Sequence, residues 1–335
     1  MGNIYILDQT LREGGYVNDF LFGKKVISSI INRLGNAGID MIECGFLKTK
    51  HKGEEYSIYS SVDEIQNYIG NKKKDITYIA MLEINETINN EPILYHPKSI
   101  DGIRISFHEH EIERALDYGK GLQEKGYKVF IQPIGIPTFK ESTLISLLRE
   151  VDSLNPFSFY IVDTLGQMLQ DDLIKMVDLI NDNLNPQISL GFHTHNNMQM
   201  SFSNALILSE LNMYRDLIID SSILGIGRGA GVLHTEMIAQ YLNNCKGHKY
   251  EIKELLSLID DYIKPLNKKY RWGYDTAFYI SAMNGCHPNY ASYLLCQNIL
   301  NVQDIYEIIS NLDEHKRTLY DETYIKKILN SYLAN

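Results

Sequence analysis

The chain's 335 residues predict an α/β fold, a (β/α)8 barrel with a C-terminal helical extension. Three observations carry that prediction. Short apolar runs rich in β-branched and aromatic residues alternate with amphipathic helical stretches, and parallel strands need such crossover connections. The first run leads into Leu11-Arg12-Glu13-Gly14-Gly15, not into the Gly-rich phosphate turn of a doubly wound open sheet. From about residue 233 the strands cease and only helical patterns remain.

In order, Ile4–Asp8 reads as the first strand, followed by a helix over Lys24–Leu34. Strand Met41–Phe46 precedes helix Val62–Ile69, and strand Ile76–Met81 precedes a long connection, Glu83–Ser99, whose prolines leave its helix undefined. Strand Gly102–Phe107 leads to helix Glu111–Glu124, strand Lys128–Pro133 to Thr143–Leu154, and strand Phe157–Asp163 to Asp171–Asn183. Strand Ile188–His193, helix Met200–Leu211 and strand Leu217–Ser222 complete the barrel, residues 1–232. The extension, 233–335, carries helical patterns at Leu233–Asn243, Ile252–Ile263, Ala277–Asn284, Ala291–Ile299, Val302–Leu312 and Glu322–Leu333.

With 44% hydrophobic and 22% charged residues the chain reads as a folded soluble protein. Its net charge of −10 leaves no surplus to neutralise phosphates, which argues against a nucleic-acid partner. Lys72-Lys73-Lys74 reads as a solvated loop. Four scattered cysteines without CxxC spacing fit a reduced cytoplasmic protein. The N-terminus runs at once into a strand pattern, without the features of a signal peptide, and no apolar run reaches membrane-spanning length.

Chemistry concentrates at strand ends. Residues i and i+2 of a strand share a face, so His193 and His195 can both aim into the barrel mouth and supply half a metal site. Asn196 and Asn197 follow, placed to orient the imidazoles. Asp8, Arg12 and Glu13 put three charges within six residues after the first strand. Burying them requires pairing or a cation, so the segment reads equally as a metal carboxylate or as an Arg–carboxylate brace. Arg104, Ser106 and His108 alternate onto one face of the fourth strand, Gln132 ends the fifth, and Asp163-Thr164 ends the sixth. Asn18 and Asp19 either line the pocket or form a turn. Gly225-Ile226-Gly227-Arg228-Gly229-Ala230-Gly231 reads as a phosphate cradle or as close packing at the barrel exit.

Four segments occur together and in order: DQTLREGG from Asp8, IECGF from Ile42, HTHNN from His193 and GIGRGAG from Gly225. The set resembles the DRE-TIM metallolyase superfamily, which includes 4-hydroxy-2-oxovalerate aldolase, hydroxymethylglutaryl-CoA lyase, isopropylmalate synthase and homocitrate synthase. It is most similar to the aldolase-like branch. The resemblance implies metal ligation by Glu13, His193 and His195, with Arg12 polarising the substrate carbonyl and holding the enolate. It implies substrate-binding roles for Arg12 and for Glu43, the acid of strand two, and we add Arg104, Gln132 and Asp163 at the barrel mouth. A ligand set of two histidines and a carboxylate suits Mn²⁺, with Mg²⁺ the alternative.

Two positions depart from the pattern. Tyr16 stands where the best-known aldolases carry a histidine base, which makes Tyr16 and His108 the candidates for that role. Val232 stands where the glycine-rich segment ordinarily ends in a metal-binding Asn. A tail tyrosine reaches over the active site in such aldolases, and Tyr274 and Tyr290 are the candidates; a surface or dimer contact accounts for either as well. Cys286 and His287, as neighbours, cannot readily chelate one ion.

The resemblance implies cleavage or formation of a 4-hydroxy-2-oxo acid from pyruvate and an aldehyde. The alternatives are a Claisen-type condensation of an acyl-CoA with a 2-oxo acid, and a non-catalytic barrel serving as a binding subunit. The expected partners are a small 2-oxo acid substrate, a second copy in a homodimer and, as in some such aldolases, an aldehyde dehydrogenase.

Overall fold

The computed structural model describes residues 2–49, 52–86 and 93–334. Eight parallel strands close on themselves: β1 Ile4–Asp8, β2 Met41–Leu47, β3 Thr77–Glu83, β4 Gly102–Phe107, β5 Lys128–Pro133, β6 Ser158–Asp163, β7 Ser189–Thr194 and β8 Leu217–Ser221. β1 pairs with both β2 and β8, so the barrel has no open edge. Every barrel strand lies within a residue or two of its expected limits. Helices Lys24–Asn36, Val62–Ile69, Ile112–Glu124, Glu141–Leu154, Gln170–Asn183 and Ser201–Glu210 cover the outside. The third connection begins with a short 3-10 turn, Ile84–Glu86; residues 87–92 lie outside the described ones.

Alternation along the strands stacks the interior in layers. Leu7, Met41, Ile79, Phe130, Tyr160, Val162 and Ile218 form one buried apolar cluster inside the barrel. A Cβ on Gly191 would stand 2.3 Å from the Tyr160 ring and one on Gly102 would stand 2.7 Å from Phe130, so these two glycines make room for the large rings. Two residues further along the same strands the inward positions become polar: Gln9 beyond Leu7, Glu43 beyond Met41, Arg104 beyond Gly102, Gln132 beyond Phe130, His193 beyond Gly191 and Asp220 beyond Ile218. A charged layer therefore rests on the apolar one, at the C-terminal mouth.

In β2 the register shifts between Glu43 and Phe46, where Gly45 takes φ 144°. This bulge lets Phe46 join Phe20, Ile58 and Met81 in a cluster at the rim. A two-residue strand absent from the sequence reading, Ile58–Tyr59, pairs with the end of β2.

Beyond the barrel, Thr235–Lys246 and the segment from Ile252 to Lys269 place Leu242, Leu255 and Ile263 in the main core. The expected single helix over Ile252–Ile263 instead turns into a π-helical stretch at Ile259–Ile263 and continues as Lys264–Lys269. Pro265 explains the widening, because its ring offers no N–H to the carbonyl four residues earlier. Helices Thr276–Met283, Pro288–Leu295, Val302–Ser310 and Glu322–Leu333 surround a separate core of Tyr290, Leu294, Ile305, Ile309 and Ile325, which Ala230 joins. Among the described residues no helix is long and apolar enough to cross a membrane.

Candidate active site

After β1 the chain makes a helical turn, Thr10–Glu13. Asp8 builds it: one carboxylate oxygen accepts the Thr10 N–H at 2.9 Å and the other the Thr235 hydroxyl at 2.6 Å. Burial, opposed by those bonds, raises the Asp8 pKa to about 6. Asp8 is thus committed to backbone and hydroxyl, while the turn carries Arg12 and Glu13 over the mouth. The Arg12 guanidinium donates to Glu43 at 2.8 Å, to Glu13 and to the Gln9 side-chain oxygen. Burial works against the charge of Glu13, but Arg12 and then His195 more than offset it and hold the carboxyl well below its ordinary range.

His193 and His195 share a face at the end of β7. The Nδ1 of His193 lies 3.2 Å from an Asp220 oxygen. Asp220 stays ionised, since Arg104 and His193 outweigh its burial. An anionic acceptor makes Nδ1 the protonated nitrogen and leaves Nε2 with a lone pair; the Gln9 amide nitrogen, 3.1 Å from the same Nδ1, is then a neighbour and not its donor. Burial, Arg12 and His195 lower the His193 pKa to about 4, so the imidazole is neutral at pH 7. His195 donates from Nδ1 to the Asp163 carbonyl at 3.1 Å and brings Nε2 to 3.4 Å from Glu13. Ligand atoms of Glu13, His193 and His195 all lie within 4.8 Å of one another.

Beneath them lies an ion network. Arg104, wholly buried, donates to both Asp220 oxygens at 2.5 and 3.1 Å and to Gln132 at 2.9 Å, and faces a Glu43 oxygen at 3.3 Å. Its guanidinium also stacks 4.5 Å above the Tyr160 ring. Two guanidinium groups thus meet three carboxylates (Glu13, Glu43 and Asp220). The negative surplus and two imidazoles with braced Nδ1 atoms suit a divalent cation held by Glu13, His193 and His195.

Above the triad is a cavity of about 200 Å³. Arg12, Glu13, His193 and His195 line its floor, and Tyr16, Glu83, Ser106, His108, Gln132 and Thr164 form the barrel side. Arg228, His287, Thr318, Leu319 and Tyr320 also line it, the last four from the helical tail. Most of the expected residues therefore converge, but several do not. Glu43 and Arg104 are buried beneath the cavity and brace other residues. The Asp163 carboxylate accepts the backbone N–H groups of Gln167 and Met168 at 3.0 and 3.1 Å. Tyr274 is 61% exposed and lines a separate surface cavity. Tyr290 is buried, its hydroxyl donating to the Lys316 and Leu319 carbonyls at 2.7 and 2.9 Å, and Tyr320 packs on it with ring centroids 5.1 Å apart. Tyr320 is the tail tyrosine at the cavity. Asn196 and Asn197 bond to Ser201, Leu165 and Ala230, not to the imidazoles. Asn18 caps its own turn through the Leu21 carbonyl, and Asp19 pairs with Lys52.

Asp220, Gln9 and the tail residues Thr318, Leu319 and Tyr320 were not singled out, whereas Arg228 lies in the glycine-rich segment read as a cradle and His287 beside Cys286 was considered only as a metal ligand. Asp220 had a signal: it sits two residues beyond Ile218, on the inward face of β8. Tyr320 had none, because only the tail's folding brings it there. The glycine-rich segment wraps Glu13 closely, a Cβ on Gly227 falling 2.8 Å from the Glu13 side chain.

Residues 103–261 match the family model described as HMGL-like. An oxaloacetate decarboxylase of Mycobacterium tuberculosis is 26% identical over 248 residues, covering 72% of this chain and 70% of that protein. A 4-hydroxy-2-oxovalerate aldolase of Pseudoalteromonas translucida is 21% identical over 263 residues, covering 77% of this chain and 75% of that protein. Among solved structures, the N-terminal domain of a Bacteroides vulgatus protein superposes with a TM-score of 0.74 at 24% identity, over 87% of this chain and 96% of that domain.

Proposed function

We propose that this chain, whose residues 103–261 match the HMGL-like family model, is a divalent-metal-dependent carbon–carbon lyase of the DRE-TIM kind, an aldolase that cleaves or forms a 4-hydroxy-2-oxo acid from pyruvate and an aldehyde. The observation that carries this reading is the convergence of Glu13, His193 and His195 beside Arg12 on the floor of one cavity. A cation held there by Glu13, His193 and His195, Mn²⁺ in preference to Mg²⁺ because of the imidazoles, would supply Lewis-acid polarisation of a 2-oxo group. Arg12, fixed by three acceptors, faces the charge that develops on the enolate oxygen as the C3–C4 bond breaks. The four free cysteines fit a reduced cytoplasmic setting. A homodimer and an aldehyde dehydrogenase partner remain expectations for the aromatic tail surface around Tyr274, and light scattering tests the first.

A base must take the 4-hydroxyl proton. Burial is the main cause that raises the Tyr16 pKa to about 12, so its phenol keeps its proton through the neutral range and donates where a base must accept. His108, on the same wall, is the better base. His108→Asn is expected to lower kcat by about a hundredfold or more, the scale of general-base catalysis. Tyr16→Phe, by contrast, should cost less than about tenfold and leave the pH profile in place. Steady-state kinetics from about pH 6 to 9 checks both; a rate that climbs steadily towards pH 10 and goes flat in Tyr16→Phe would restore the tyrosine as base.

Similarity to an oxaloacetate decarboxylase at 26% identity favours a second reading, decarboxylation of a 2-oxo diacid. Pyruvate release from 4-hydroxy-2-oxo acids and from oxaloacetate, with Mn²⁺ and with chelator, tests the two together. An aldehyde co-product supports the first reading and carbon dioxide the second; no metal-dependent release from either sinks both.

A further inference from the structure

The glycine-rich segment and the tail meet over the cavity in a way the mechanism does not use. Gly229, at φ 64°, lies so close to Asn197 and Pro288 that a Cβ would stand 2.7 Å from the Asn197 oxygen and 3.1 Å from Pro288. This packing sets the Arg228 guanidinium on the cavity wall, 3.1 Å from Nε2 of His287 and 4.0 Å above the Tyr16 ring. The Arg228 backbone N–H donates to Glu13 at 3.3 Å, but among the described residues its guanidinium has no carboxylate partner, and Glu83 shares the wall without pairing to it.

His287 adds a second unsatisfied group. Its Nδ1 accepts the Asn289 N–H at 3.2 Å at the start of helix Pro288–Leu295. The ring's one proton then sits on Nε2 and points at another donor, Arg228. Giving Nε2 the lone pair instead would set Nδ1–H against the Asn289 N–H. The ring lies between two donors and satisfies one of them. A negatively charged acceptor in the cavity resolves the conflict, taking Nε2–H and the guanidinium together.

We infer that Arg228 and His287 form a binding site for a carboxylate on the distal half of the substrate, so that the molecule cleaved is a 2-oxo acid with a second acid group. The inference rests on the aldolase reading for the identity of the near half. A planar fork beside a ring N–H matches a planar carboxylate, and about 200 Å³ admits only a small acid. The site also bears on which bond breaks. A carboxylate held by Arg228 is stabilised in the ground state and is a poor group to expel as carbon dioxide. Retro-aldol cleavage suits it better. The 4-hydroxyl loses its proton to the base, the C3–C4 electron pair passes to C3 as the enolate, and C3 is then protonated to give pyruvate. C4 leaves as an aldehyde that keeps the distal carboxylate.

The test is calorimetry of the Mn²⁺-loaded full chain with two unreactive 2-oxo acids, 2-oxoglutarate and 2-oxovalerate, in the wild type and in Arg228→Gln and His287→Gln. Binding of 2-oxoglutarate at least about tenfold tighter, with most of that ratio lost in Arg228→Gln, is the expected result. Equal affinities, or a ratio that survives in both variants, would overturn the inference. Displacement by inorganic phosphate in preference to acetate would overturn the carboxylate assignment. Pyruvate release is then compared between 4-hydroxy-2-oxoglutarate and 4-hydroxy-2-oxovalerate. Turnover of both at equal kcat/KM refutes the distal site and leaves the aldolase standing. A diacid preference in binding without turnover of either acid keeps the site and refutes the aldolase.

Discussion

His193→Ala is expected to abolish metal-dependent pyruvate release and to weaken Mn²⁺ binding by well over about a hundredfold. The magnitude follows from the structure of the site. Loss of a group that only orients a ligand costs roughly 10- to 100-fold in metal affinity or activity, and His193 is itself one of three donors. Asp220→Asn gives the internal scale: it keeps the volume but removes the anion that fixes His193 Nδ1, so it should fall within that 10- to 100-fold range. The ordering matters more than either value. Binding is followed by the paramagnetic signal of free Mn²⁺, which reads the metal directly and does not depend on turnover. Thermal unfolding of the apo-protein controls for the buried imidazole that is lost. If His193→Ala binds Mn²⁺ as the wild type does, the three residues do not hold the metal, and the proposed chemistry loses its centre.

The barrel was legible because its signals are local. Each strand is short, apolar and bounded by polar residues, and alternation alone places His193, Arg104 and Gln132 on inward faces. The same rule reaches Asp220, but a single acid at the end of a strand carries no pattern in the sequence. Pairing that acid with Arg104, 116 positions away, is a property of the closed sheet. Alternation also says that a side chain points inward but not at what height. Glu43 and Arg104 are expected to line the cavity but are wholly buried and do not, because Arg12 and the triad occupy its floor. The tail was the least legible part. Its helices were recognisable, but their packing decides which tyrosine reaches the cavity. Tyr320 does so because Tyr290 anchors the Lys316–Leu319 segment from below. The bulge at Gly45 and the π-helical stretch at Ile259–Ile263 depend on neighbours distant in sequence, or on a proline acting one turn away.

Arg104→Met is expected to destabilise the fold by about 3–5 kcal/mol, the cost of breaking a buried ion pair from one side. Arg104 is wholly buried, and its guanidinium is the common partner of Asp220, Glu43 and Gln132. Burial works against its charge, yet Asp220 and then Glu43 more than compensate and raise its pKa. Methionine fills most of the side-chain volume, so the loss is electrostatic and not a cavity effect. Asp220 is then left with the neutral His193 alone and Glu43 with Arg12, and neither carboxylate keeps the guanidinium that held them together. A network of this kind is also poor evidence of net stabilisation, since replacing all its members with apolar groups is often neutral or better. This separates two roles for Arg104. If it serves only to neutralise Asp220, the double variant Arg104→Met/Asp220→Asn should recover a large part of the loss, with a coupling of about 0.5–3 kcal/mol in a double-mutant cycle. If it also fixes the height of His193 through Asp220, the recovered stability will not restore Mn²⁺ affinity. The second outcome is expected, because Asp220 is the contact that joins the ion network to the metal triad. Denaturant unfolding read beside Mn²⁺ titration decides it: stability and metal affinity rising together in the double variant would make Arg104 a charge partner and nothing more.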